Sequence, residues 1–141
     1  MRYWDTSALV PLLVAEATSE VVRSWLGEDS VIATWAWSRV EIASAVERRT
    51  REGDLSREQR RAVMSRLDAF SAAWHEVVEV LAVRSRATSV LARHRLRAAD
   101  AAQLCAALHV QDQLGAPLQF VSLDQRLTEA AEREGLTMVP A

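Results

Sequence analysis

Short runs of β-branched and aromatic residues alternate with longer helical stretches along this whole chain, and that alternation limits the fold more than any other feature. Arg2-Tyr3-Trp4, Val31-Ile32-Ala33, Val77-Val78-Glu79-Val80 and Leu118 to Ser122 read as strands, with Leu136-Thr137-Met138-Val139 as a short last one. Between them the apolar spacing predicts helices directly after Asp5, over Ser19 to Leu26, Ser38 to Glu52, Ser56 to Trp74, Ala82 to His94, Asp100 to Leu114 and Gln125 to Glu134. Gly27, Gly53, Gly115 and Gly135 stand where helices stop. Strands joined through helices pair in parallel, and a parallel sheet needs helices on both faces. The expected class is therefore α/β: a three-layer α/β/α sandwich around a central parallel sheet of four to five strands. The 141 residues, 50% of them hydrophobic, suffice for a single domain spanning residues 1–141, and such a domain buries roughly two thirds of its unfolded surface.

Charge and composition narrow the function. The formal net charge is −2, too low for a protein that coats nucleic acid by bulk electrostatics, so any RNA contact must be local. All 17 basic residues are arginines, whose planar fork suits phosphates and carboxylates alike. Cys105 stands alone in an apolar run, which excludes a disulfide framework or a thiolate metal site and suits a small buried hydrophobe. His75, His94 and His109 lack the paired spacing of zinc ligands. No apolar run approaches the roughly 20 residues of a membrane span, and no signal-peptide pattern follows Met1, so a cytoplasmic location is expected.

Four acids fall at related places in the pattern. Asp5 and Asp124 each end a strand and start a helix, and in a parallel sheet all such junctions lie on the carboxyl edge, where open α/β sheets bind ligands. Asp100 lies at the start of a helix whose apolar face is Leu104, Ala107 and Leu108, and Glu41 sits about one turn inside its helix between Val40 and Ile42. Taken singly, an Asp at a helix start is usually a cap and a lone helical Glu usually faces solvent. Gathered at one sheet edge, four carboxylates repel one another, and an oxygen-seeking cation relieves that repulsion.

At these residues the sequence resembles the PIN-domain nucleases, and among them the VapC-type toxins of bacterial toxin–antitoxin pairs. Tyr3-Trp4-Asp5-Thr6-Ser7-Ala8-Leu9 is similar to the family's opening motif, Trp37 to Ala45 to its second acidic motif, Leu96 to Leu104 to its third, and Phe120 to Leu127 to its fourth. The motifs stand in order along essentially the whole chain. The resemblance implies a Mg2+-dependent endoribonuclease, with Mn2+ as substitute, in which Asp5, Glu41, Asp100 and Asp124 are catalytic and hold the metal. It implies Thr6 as a site neighbour and Ser122 as a group ordering water or phosphate, with hydrolysis leaving a 3′-hydroxyl and a 5′-phosphate. The implied partners are an RNA substrate, a cognate VapB-type antitoxin and a second copy in a homodimer, with no membrane association. Arg93, Arg95 and Arg97, just before Asp100, are placed to meet an RNA backbone or an antitoxin, and the segment Gln103-Leu104-Cys105 varies on the aliphatic pattern usual there without touching the chemistry. Three other readings compete: a non-toxin RNA-processing nuclease, an inactive PIN-like module that binds RNA or a partner, and an aspartyl phosphotransferase with Asp5 as nucleophile. The last lacks a lysine and a second Asp two residues after Asp5.

Overall fold

The computed structural model describes residues 1–140. Its elements run β1 (Arg2–Trp4), α1 (Thr6–Leu13), α2 (Ser19–Glu28), β2 (Ile32–Trp35), α3 (Ser38–Arg51), α4 (Arg57–Ser71), β3 (His75–Val77), α5 (Val80–Arg93), α6 (Ala98–Leu114), β4 (Gln119–Val121), α7 (Gln125–Arg133) and β5 (Thr137–Met138). The strands form one sheet in the order β3-β2-β1-β4-β5, every pairing parallel. The chain winds outward from β1 through β2 to β3 and then returns to place β4 on the other side of β1. That reversal makes the gap between the carboxyl ends of β1 and β4 the topological switch point, the place where sheets of this kind open a crevice.

Strand periodicity divides the core. Tyr3, Ala33 and Phe120 face one side, where Val83 and Val90 of α5, Leu104, Ala107 and Leu108 of α6 and Leu127 of α7 cover them. Trp4, Ile32 and Val121 face the other side, against Leu9 of α1, Val22 of α2, Ile42 and Val46 of α3 and Leu67 of α4. The result is the expected α/β/α sandwich with its parallel sheet. Register partners Tyr3 and Phe120 stack across β1 and β4 with ring centroids 5.6 Å apart. Cys105 is fully buried in the first cluster. Among the described residues no helix is long and apolar enough to cross a membrane.

Two element boundaries differ from the sequence pattern in ways that matter. The apolar run Val77 to Val80 is not one strand: β3 ends at Val77, and Val78 and Val80 are exposed. Glu79 turns the chain there, its carboxylate accepting from the Val78 amide at 3.0 Å, and Val80 already opens α5. Helix α6 begins at Ala98, with Arg97 as its N-cap, so Asp100 lies inside the first turn and is not the capping residue. At the far end Gly115 closes α6 with φ 62°, a left-handed conformation that favours glycine over residues with a side chain.

Because the Tyr3–Phe120 pair joins the two strands that flank the switch point, Phe120→Ala is expected to cost about 3–5 kcal/mol of unfolding free energy, measured by urea titration. A loss under about 1 kcal/mol would mean that the sheet does not depend on this stack.

Candidate functional site

A cleft of about 460 Å³ opens at the switch point, and its lining includes Asp5, Glu41, Asp100 and Asp124 together with Thr6 and Gln103. Each acid arrives by a different element. Asp5 follows β1 and caps α1, Glu41 lies in the first turn of α3, Asp100 in the first turn of α6, and Asp124 caps α7. Helices α1 and α3 belong to one layer and α6 and α7 to the other, so the cleft lies between the layers above the sheet edge.

Asp5 is the most constrained acid, with 3% of its surface exposed. Its carboxylate accepts from the Ser7 backbone amide, from Ser122 Oγ at 2.7 Å and from Ser7 Oγ at 3.2 Å. Ser7 Oγ in turn accepts from the Leu123 amide at 2.8 Å, and Ser122 Oγ from the Asp124 amide at 3.1 Å. The two serines therefore tie the start of α1 to the loop after β4. Ser122, expected to order water or phosphate, has its hydroxyl committed to holding Asp5. Burial pushes the Asp5 carboxyl up to about 6, against the pull of the hydroxyl and amide donors. Asp124 is more exposed and accepts from the Leu127 amide at 2.9 Å, which is ordinary capping.

Glu41 and Asp100 are half-buried. Burial raises the carboxyl of Glu41, and the nearby charges of Asp5 and Asp100 add to that rise, while hydrogen bonds from Gln103 and Thr6 oppose it. Asp100 is raised first by burial and then by the charge of Asp124, with Arg97 and Arg126 pulling it back. These mutual effects connect the four acids electrostatically. Among the described residues, however, no three side chains of the metal-ligating types close around a point as a ready-made cage. The acids share a cleft without converging into a finished coordination sphere.

Gln103, expected to stand outside the chemistry, is the residue that the sequence reading missed. Only 1% exposed, its amide oxygen accepts from the Tyr3 hydroxyl at 2.7 Å. Its Nε2 lies 2.8 Å from Ser38 Oγ and 3.1 Å from both Thr6 Oγ1 and Glu41 Oε1. Thr34 Oγ1 donates to the Trp4 carbonyl at 2.7 Å, so the 2.7 Å contact between Thr34 and Ser38 has Ser38 as donor. Ser38 is left with lone pairs facing Gln103. One buried amide thus orients Glu41, and the signal for it was a lone polar residue in the otherwise apolar Leu104 to Leu108 face.

The arginines before Asp100 separate into different places. Arg97 lines the acidic cleft, as do Arg48 and Arg49 of α3. Arg49 is ion-paired with Glu16. Arg93 is held by both oxygens of Glu134, at 2.9 and 3.0 Å, and is not free for a backbone. His94 also contacts Glu134, at 2.6 Å.

Two outcomes follow from this geometry. Gln103→Leu is expected to lose about 1–3 kcal/mol in urea unfolding, because the Tyr3 hydroxyl stays buried without its acceptor; a variant within about 0.5 kcal/mol of wild type would show the amide to be dispensable. The second outcome concerns pH. A carboxyl raised on folding binds protons more tightly in the folded state, so its contribution is intact below the unfolded value near 4 and is lost as pH rises through the folded value of about 6. Asn at position 5 can still cap α1 but does not titrate. In EDTA, Asp5→Asn should therefore gain stability relative to wild type between pH 4 and 7, by up to about 3 kcal/mol for a shift of this size. The measurement is a series of melts across that range, and a pH-independent difference would contradict the assignment.

The chain matches the PIN domain family over residues 2–133. Ribonuclease VapC47 of Mycobacterium tuberculosis is 33% identical over 141 residues, covering 96% of this chain and 93% of that protein. Ribonuclease VapC35 of the same organism is 32% identical over 142 residues, covering 99% of this chain and 96% of that one. In fold, the chain is similar to the crystal structure of FitAcB from Neisseria gonorrhoeae, with a TM-score of 0.64 at 17% identity over 99% of this chain and 97% of the other. With the sheet order, the switch-point cleft and these full-length likenesses in agreement, the chain belongs to the PIN domain family.

Proposed function

We propose that this protein is a divalent-metal-dependent endoribonuclease that acts as the toxin of a VapBC-type toxin–antitoxin pair, with Asp5, Glu41, Asp100 and Asp124 as its catalytic and metal-holding residues. The observation that carries this reading is the presence of all four carboxylates in one cleft at the switch point of a PIN domain sheet. Full-length relatives named as ribonucleases supply the reaction class. The donor set fits magnesium or manganese: every acid offers carboxylate oxygen, and Mg2+ takes one or two carboxylates, keeps several waters and accepts phosphate oxygens to finish its octahedron. An open cleft suits that coordination better than a closed cage does. When bound, the ion supplies Lewis-acid stabilisation of the phosphate and a more acidic water.

The chain's own groups do the rest. Ser7 and Ser122 hold the Asp5 carboxylate in one orientation, and Gln103 holds Glu41, so two of the acids keep fixed positions without the ion. Arg97 and Arg48 lie at the lining, where guanidinium groups meet phosphate oxygens. Water attacks phosphorus in line, the bond from phosphorus to the 3′ oxygen breaks, and that oxygen takes a proton, leaving a 3′-hydroxyl and a 5′-phosphate. The chain also offers a seat for the antitoxin. Leu12, Leu13, Leu26, Ala69 and Phe70 line an apolar groove across α1, α2 and α4 on the face opposite α6 and α7, and a partner segment anchored there is expected to reach the acidic edge with a basic side chain. Exposed Trp37, Val40, Val78 and Leu81 offer apolar surface for a homodimer.

The test is cleavage of RNA by the purified protein. Cutting should require Mg2+ or Mn2+, stop in EDTA, and fall at least about a hundredfold in Asp100→Asn, a loss typical of removing one charged group from such a site. The metal should also stabilise wild type by about 2.7 kcal/mol at a hundredfold excess over its dissociation constant, and Asp100→Asn should melt higher than wild type in EDTA near neutral pH while gaining less from the metal. Undiminished cutting in excess chelator, or equal metal stabilisation of both proteins, overturns the assignment.

A further inference from the structure

Beside the acidic cleft lies a second depression, of about 170 Å³, between the α5–α6 connection and α7. Arg93, Arg95, Arg126 and Arg133 line it against a single carboxylate, Glu129. That local excess of positive charge stands out in a chain whose net charge is −2. Of its two carboxylate neighbours one already has basic partners and the other keeps its charge. Glu134 is taken by Arg93 and His94, and Glu129 accepts from Gln125 Nε2 at 3.1 Å. Among the described residues Arg95, Arg126 and Arg133 form no ion pair. Arg95, Arg126 and Arg133 therefore border one small space with Glu129 as its single counter-charge, a local excess of positive charge that an entering anion would relieve.

We propose that this depression is a phosphate-binding site that holds the backbone of the RNA substrate beside the cleavage cleft, an assignment that rests on the ribonuclease reading above. Two observations select RNA phosphate over other anions. Arg126 belongs to both places: it lines the depression, and its charge also acts on Asp100 in the cleft. Arg95 stands two residues from Arg97, which lines the cleft itself, so one short connection supplies an arginine to each. A strand bound across the acids would pass directly from Arg97 and Arg126 to Arg95 and Arg133. Repulsion from the acids also requires such an anchor, because a polyanion gains nothing from approaching four carboxylates alone. Contacts of this kind set register and affinity and leave base choice to other groups.

The experiment measures binding of a fluorescein-labelled single-stranded RNA in EDTA across a salt series, for wild type, Arg95→Ala, Arg133→Ala and the double variant, with Arg84→Ala as a surface control. Each pocket substitution should weaken binding roughly three- to tenfold at low salt and lower the slope of log affinity against log salt by about 0.7. Melting temperatures should stay at the wild-type value. Cleavage of a ladder of RNAs shortened stepwise from either end adds a readout that a merely structural role would not move: the penalty should appear on long substrates and vanish on those too short to reach the depression. Unchanged affinity and slope in the double variant overturn the proposal, as does an equal penalty on every substrate length. Variants that keep RNA binding but lose a coexpressed antitoxin overturn it too, by assigning the depression to a protein anion. Failure of wild type to cleave any RNA would count against the ribonuclease reading alone, since the salt series is independent of cutting.

Discussion

One buried amide holds the two helical layers and the sheet in a common frame. Gln103 comes from α6, accepts from Tyr3 on β1, and donates toward Thr6 of α1, Ser38 of α3 and Glu41 of α3. An amide has two N–H donors, and three acceptors compete for them, so each acceptor is held within a shared set of bonds instead of one private bond. A buried polar network is stabilising only when all its members find partners. Here they do: the Thr34–Trp4 bond settles the direction of Ser38, Ser38 then accepts from Gln103, and Tyr3 completes the amide oxygen. Glu41 therefore has a position before any ligand arrives.

The layers, the parallel pairing and the location of the four acids were legible because they follow from periodicity and from the geometry of strand-to-helix junctions. Asp5 and Asp124 had to share an edge once their strands were parallel. That their strands are also neighbours, so that Ser122 reaches Asp5, depended on the reversal of strand order after β3, which no local pattern encodes. The misplacement of Val78 and Val80 has the same origin: β propensity describes a residue that suits a half-buried pleated surface, and this stretch reaches the sheet edge and turns into solvent. Gln103 reads in the sequence only as part of a segment, Gln103-Leu104-Cys105, that varies on an aliphatic pattern. Its meaning lies in partners 62 to 100 residues away in the chain, and sequence spacing does not register contacts of that range.

The arginines show how little sequence proximity says about charge. Arg93, Arg95 and Arg97 are near neighbours in the chain, yet the first is neutralised by Glu134, the second faces the small depression and the third faces the acids. A net charge of −2 conceals this sorting. Absence of lysine sharpens it, because guanidinium groups keep their charge through any reachable pH and hold direction through a planar fork.

The four carboxylates also share an electrostatic feature that explains how the fold tolerates them. Each stands at a helix N-terminus: Asp5 and Asp124 at caps, Glu41 and Asp100 in first turns. Four helix dipoles therefore direct their positive ends at one cleft, and each stabilises a nearby anion by about 0.3–1 kcal/mol. Set against this, the shift that carries the Asp5 carboxyl from 3.8 to about 6 corresponds to roughly 3 kcal/mol for that group alone, after its hydrogen bonds have been counted. Burial wins over the dipoles at Asp5, and repulsion adds to burial at Glu41 and Asp100. The helix ends make the cluster bearable without making it neutral. The remainder favours protons on the acids at low pH, and it is this uncompensated charge that the proposed divalent ion would satisfy while bringing phosphate oxygens to the same edge.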